Sequence, residues 1–192
     1  MATPNLKITA SEAEPIAAQF PLSEIGKAEL KPAMPPINFL EALIAKGAYP
    51  DAIQFLARAL PKREAVWWTC LCCRDILGKD GEPKLATAVQ AAEAWVYKPN
   101  EENRRGAEKA GNAISESHPA RWVAMAAFWS GGSLAPPSAP EVKPPDDFTA
   151  KAVTGAVLMA ASLDPAQADA RNKQFTDYGM NIAKGGNGRA AP

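Results

Sequence analysis

The stretch PKREAVWWTCLCCRDILG, residues 61 to 78, limits what this chain can fold into more than any other. Laid on a helix at about 100° per residue, Val66, Cys70, Cys73 and Leu77 make one stripe. Trp67 and Leu71 widen it, and Trp68 and Cys72 continue round the back. A helix apolar on nearly every side must be enclosed by other helices, so the segment reads as the centre of an all-α domain. Pro61 sits where a missing N–H costs little, and Gly78 is placed to end the helix in a left-handed C-cap. Within the arc, Trp67 is expected to be deeply buried and Cys72 to lie nearer the rim.

The polar residues of the same helix are the most specific feature of the chain. Arg63, Trp67, Cys70 and Arg74 recur at i, i+4, i+7 and i+11, so two guanidinium groups bracket a tryptophan. Arginine beside an aromatic ring offers both bidentate carboxylate recognition and a desolvated anchor. Arg63, Trp67 and Arg74 are therefore the candidate protein-binding residues, facing an acidic or carboxylate-bearing partner. The competing reading makes the arginines internal, paired with Glu41, Asp51 or Asp75 or stacked on Trp67.

Charge excludes some partners. Lys plus Arg equals Asp plus Glu, 21 of each, so no overall field draws nucleic acid or an anionic membrane. No apolar run approaches the roughly 20 residues that cross a bilayer. The first twenty residues lack the pattern of a secretory signal. Three cysteines within four positions of one helix are poorly placed to bridge one another, which suits a reducing cytoplasm.

Along the chain, residues 1 to 36 mix prolines with scattered charge and little periodicity, and read as an extended or disordered arm that packs poorly. Residues 37 to 184 read as a single helical domain, a compact bundle of about seven or eight antiparallel helices in hairpins. Leu40, Leu43 and Ile44 mark a first helix, and Ile53, Leu56, Ala57 and Leu60 mark its partner across a short GAYP turn. Leu85, Val89, Ala92 and Trp95 define a later one. The next, capped by Asn100, offers chiefly small residues such as Ala107 and Gly111 for close approach to a neighbour. Ser117 or His118 before Pro119 opens a helix carrying Trp122 and Trp129. Residues 131 to 147, rich in proline and glycine, are a linker expected to lie as a strap across the helices. A final helix opens at Asp164–Pro165 and presents Phe175, Tyr178 and Ile182 inward, and residues 185 to 192 read as a flexible tail.

Catalytic signals are weak. His118, the sole histidine, stands where a helix cap belongs. Cys70 and Cys73 share a face, but there is no second Cys or His pair for a metal, and no phosphate-cradling glycine loop, so no cofactor and no metal is expected. A reactive thiol would need Arg74 to activate Cys70, without a histidine to complete a dyad. The expectation is a non-enzymatic interaction protein. A small cysteine-dependent enzyme or toxin and an immunity-type inhibitor are the alternatives.

Three blocks, PKREAVWWTCLCCRD at 61–75, WVAMAAFWSGGSLAPP at 122–137 and TAKAVTGAVLMAA at 149–161, together resemble a family of bacterial proteins of unknown function and about this length. The resemblance spans roughly residues 37 to 163. That family is associated with type VI secretion gene clusters, which implies an accessory, adaptor or chaperone-like role. Its partner would be another protein, an effector or a spike component, and it brings no catalytic motif to these residues.

Overall fold

A computed structural model of the chain describes residues 6–78, 81–114 and 117–189. Among the described residues there is no β-strand, and the fold is all-α, as the periodicity predicts. The expected single domain is instead two compact units. One is built from residues 1–61 with 161–192, the other from residues 62–160. At the first of its two junctions the division has a local cause. Leu60 precedes Pro61 and takes an extended conformation (φ −74°, ψ 144°), as the clash with a following proline ring demands. The aromatic helix is therefore the first helix of the second unit.

In the first unit, α3 (Pro36–Ala45) and α4 (Tyr49–Ala59) form the predicted hairpin. Gly47, at φ 67°, closes it in a Schellman motif: Ala48 N–H donates to the Leu43 carbonyl (2.9 Å) and Gly47 N–H to that of Ile44 (3.0 Å). Phe39 and Phe55 meet edge to face at 5.1 Å, both fully buried. The last helix, α10 (Ala168–Ala183), lies against both and buries Phe175 and Ile182. A second Schellman motif ends it, with Gly185 at φ 91°. Asn181 Oδ1 then accepts from Gly188 N–H (2.8 Å), so residues 185–189 fold back onto α10 rather than fraying; 190–192 lie outside the described residues.

The arm is the larger correction. Residues 6–35 carry two short helices, α1 (Glu14–Ala17) and α2 (Glu24–Glu29), and bury Ile8, Ala13, Ile16, Ala17 and Phe20. Ala13, Ile16, Ala17 and Phe20 stand at i, i+3, i+4 and i+7 around α1, a helical pattern too short, between Pro15 and Pro21, to stand out in the sequence. Polar anchoring completes the docking. Asp51, 4% exposed on α4, accepts from Ser23 N–H (3.2 Å to Oδ2) and from the Ser23 hydroxyl (2.5 Å). Ser23 Oγ in turn caps α2 by accepting from Gly26 N–H (3.1 Å). Asp51→Ala should cost about 1–3 kcal/mol by orphaning these donors. Amide exchange within residues 13–30 should rise well above that of α4, and unchanged protection there would show the arm to be held without Asp51.

In the second unit, α5 (Lys62–Leu77) and α6 (Pro83–Tyr97) pack together, and α7 (Glu101–Asn112) and α8 (Pro119–Phe128) pack on α6 and on each other. Helix α9 (Phe148–Ser162) starts in this unit and passes its last residues to the first. Gly78, at φ 60°, ends α5 as predicted. Asn100 Oδ1 caps α7 by accepting from Asn103 N–H (2.9 Å). His118 Nδ1 caps α8 by accepting from Ala120 N–H (3.1 Å). The small face of α7 does bring it close to α8: a Cβ on Gly111 would stand 3.1 Å from Met125 Sδ and 3.2 Å from Ala124 Cβ.

The buried face of α5 differs from expectation in two residues. Trp68, not Trp67, is the fully buried indole, and Cys72 is as enclosed as Cys70 and Cys73. Neighbouring positions lie only about 100° apart on a helix that is apolar nearly all round, so periodicity cannot choose between them.

Candidate functional site

The site is assembled from one face of α5 and the end of α6, both in the second unit. Arg63 stands on the first turn of α5, and its Nε donates to the Val96 carbonyl (2.6 Å) in the last turn of α6. That carbonyl is one of those a helix end leaves without an intrahelical donor, so a cation there completes the helix electrically as well as geometrically. One turn on, Trp67 is half-buried and meets the Tyr97 ring edge to face at 6.5 Å. Tyr97 is 77% exposed, an unusual state for a ring of its size.

Arg74 lies two turns beyond Trp67 and forms a fork with Glu93 of α6: Nε to Oε1 at 2.9 Å and Nη2 to Oε2 at 2.6 Å. The arginines are thus divided between the two readings of the sequence. Arg74 is internally paired, although its partner is Glu93 rather than Glu41, Asp51 or Asp75. Glu41 instead meets Lys184 (2.7 Å), and Asp51 holds the arm. Arg63 is exposed and uses Nε on Val96, and its terminal amino groups meet no acceptor among the described residues. Lys62 and Lys98, both exposed, add positive charge beside Arg63 and Tyr97 respectively. The surface is an aromatic pair with a basic edge.

The cysteines beneath it are ill suited to nucleophilic chemistry. Cys70 and Cys72 are buried, and burial pushes both thiols well above their ordinary value; Cys73 is pushed up to about 12 by the same cause. For Cys70 the carboxylate of Glu93 adds to the rise and outweighs the opposing Arg74 charge. A thiol held protonated and away from solvent supplies little thiolate at neutral pH. Among the described residues no group of three His, Cys, Asp or Glu side chains could hold a metal ion, and no helix is long and apolar enough to cross a membrane.

One polar cluster escaped the sequence reading. Arg104 on α7 is 4% exposed and makes a fork with Glu101 (2.6 and 2.7 Å). It also donates to the carbonyls of Phe128 (2.8 Å) and Ser133 (2.9 Å), with its guanidinium 4.8 Å from the Phe128 ring centroid. Arg105 donates to the carbonyls of Ser133 (2.8 Å) and Ala135 (2.5 Å) and pairs with Glu101 and Glu108 (2.9 Å each). The two arginines fasten the start of the 131–147 segment to α7 and to the end of α8. Leu134 N–H donates to the Val142 carbonyl (2.7 Å), closing the proline-rich stretch into a loop. Only its start, residues 133–135, is strapped to the helices; residues 136–143 stand exposed in the loop rather than lying across the helices as expected, and the fastener shows in the sequence only as the pair Arg104–Arg105.

Comparison with known proteins returns one family. The model of a family of unknown function, DUF6931, matches residues 39–183. No curated protein and no solved structure matches the chain. The match takes in both helices of the candidate surface, the arginine clamp and the strap. The chain belongs to this family of unknown function.

Proposed function

We propose that the chain is a non-enzymatic interaction protein that binds another protein through the Trp67–Tyr97 surface. One observation carries the reading: a largely exposed tyrosine stacked edge-on against a half-buried tryptophan, beside an arginine with free terminal nitrogens. Tyr, Trp and Arg are the side chains that dominate binding hot spots, because each combines a large apolar body with a directional polar end. The basic edge of Lys62, Arg63 and Lys98 selects a partner segment bearing carboxylates. Lys62 and Arg63 each spend one donor on the fold, to the carbonyls of Ser130 (3.3 Å) and Val96 (2.6 Å), and both remain exposed. The burial of all three thiols favours this reading over a cysteine-dependent enzyme.

The sequence resemblance adds a context: an adaptor or chaperone-like component of a type VI secretion system, acting in the bacterial cytoplasm on an effector or spike component. An immunity-type inhibitor would use the same surface and differ in its partner. Capture from the native host with the wild-type chain, Arg63→Glu and Tyr97→Ala is the test. A partner recovered by the wild type should be lost from both variants, while the melting temperature moves by no more than about 3 °C for Tyr97→Ala and about 6 °C for Arg63→Glu, which also gives up the bond to Val96. Retention of that partner by both variants would remove the surface from the account.

A further inference from the structure

We propose that residues 6–32 exchange between two copies of the chain, each arm docking on the first unit of the other copy as it docks on its own in the monomer. The hinge carries the inference. Met34 N–H donates to the Lys31 carbonyl across four residues (3.3 Å), with Pro32 second in the turn and Ala33 third, at φ 56°. A positive φ at the third position after a second-place proline is the type II pattern, which calls for glycine there. Ala33 is the one non-glycine residue with positive φ among those described. Its Cβ opposes the left-handed conformation, so the closed arm is held by a strained turn.

Opening that turn relieves the strain without sacrificing what docks the arm. The Asp51–Ser23 bonds, the bond from Lys7 N–H to the Ala183 carbonyl (2.9 Å), the burial of Ile16 and Phe20 and the stacking of Arg58 on Phe20 (4.8 Å) would all re-form between copies. Pro32, Pro35 and Pro36 favour the extended backbone that an open hinge needs. A short hinge under strain, joining an element to a body it packs against, is the setting in which exchange between identical chains costs least. Beside the hinge the arm is held by the bond from Ala13 N–H to the Met34 carbonyl (2.8 Å), which would also re-form between copies. A groove of about 520 Å³ lies between Leu6 and Ile8 on one side and Pro35, Pro36 and Ile37 on the other.

The test uses the full chain, refolded at high protein concentration and sized by light scattering. Glu29 on α2 and Lys46, the C-cap of α3, face each other across the arm boundary (3.6 Å) and are replaced together by cysteine, then joined with a short bismaleimide; the native cysteines are buried from the reagent. A dimer fraction whose cross-links join two chains is expected. Ala33→Gly should lower the dimer association constant by about thirtyfold or more, because both hinges of the exchanged dimer lose their advantage. A dimer cross-linked only within each chain, an Ala33→Gly dimer as tight as wild type, or a chain that stays monomeric throughout would each overturn the proposal.

Discussion

Replacing Trp68 by alanine should destabilise the chain by about 3–5 kcal/mol, the range found when a large buried aromatic is removed and its neighbours close in only partly. Trp68 is 0% exposed on a helix whose Val66, Cys70 and Cys73 are also enclosed, so no solvent can fill the space without meeting apolar walls. Trp67→Ala should cost much less, because that indole is half-buried and its ring partner is the exposed Tyr97. Chemical denaturation of the two variants measures the difference directly. Equal losses would mean that both rings share the burial of α5 and that Trp67 is a core residue rather than part of a surface.

Arg104→Met should cost about 2–4 kcal/mol, lowering the melting temperature by roughly 5–15 °C. Methionine keeps the length of the side chain against Phe128 but leaves the carbonyls of Phe128 and Ser133 without their donors. The figure stays below that for a wholly buried pair because the Glu101 side chain is 58% exposed and can turn to water or to Arg105. Gly132, at φ 64°, belongs to the same clamp: a Cβ there would stand 2.8 Å from the Arg104 guanidinium carbon, so Gly132→Ala should loosen the strap as well.

The clamp also sets a pH dependence. Hydrogen bonding from Arg104 holds the Glu101 carboxyl down to about 2, against an ordinary value of 4.5. A depressed carboxyl contributes stability that is complete above 4.5 and is lost as the pH falls from there toward 2. Protection factors of the amides in residues 133–142, taken against the intrinsic exchange rate at each pH, should fall over that window in the wild type, and should already be low and less sensitive to pH in Arg104→Met. A strap equally protected in both proteins would show that the arginine does not fasten it.

The parts legible in the sequence were those encoded by local pattern. Helical spacing located the α3–α4 hairpin and the enclosed α5, and Gly78, Asn100 and His118 marked the caps that form on α5, α7 and α8. What escaped depends on pairings distant in the chain. Asp51 and Ser23 are 28 residues apart, and nothing near either residue signals the other. Arg104 reads as one more charge on a short polar helix until Phe128 and Ser133 are brought beside it. Of the two junctions between the units, one rests on a single extended residue, Leu60, in an otherwise helical run, and the other, at residues 160–161, falls inside α9 with no local mark. The candidate surface was half legible: the α5 stripe gave Arg63, Trp67 and Arg74, whereas Tyr97 and Glu93 come from α6, whose facing side the stripe could not specify.

The most direct measurement of the central claim is hydrogen–deuterium exchange on the chain, free and in complex with the partner recovered from the host. Binding at the aromatic surface should slow exchange in residues 62–67 and 93–98, the first turns of α5 and the last of α6, and leave α7 and the strap as they are in the free chain. Protection confined to other segments, with residues 62–67 and 93–98 exchanging as before, would contradict the account.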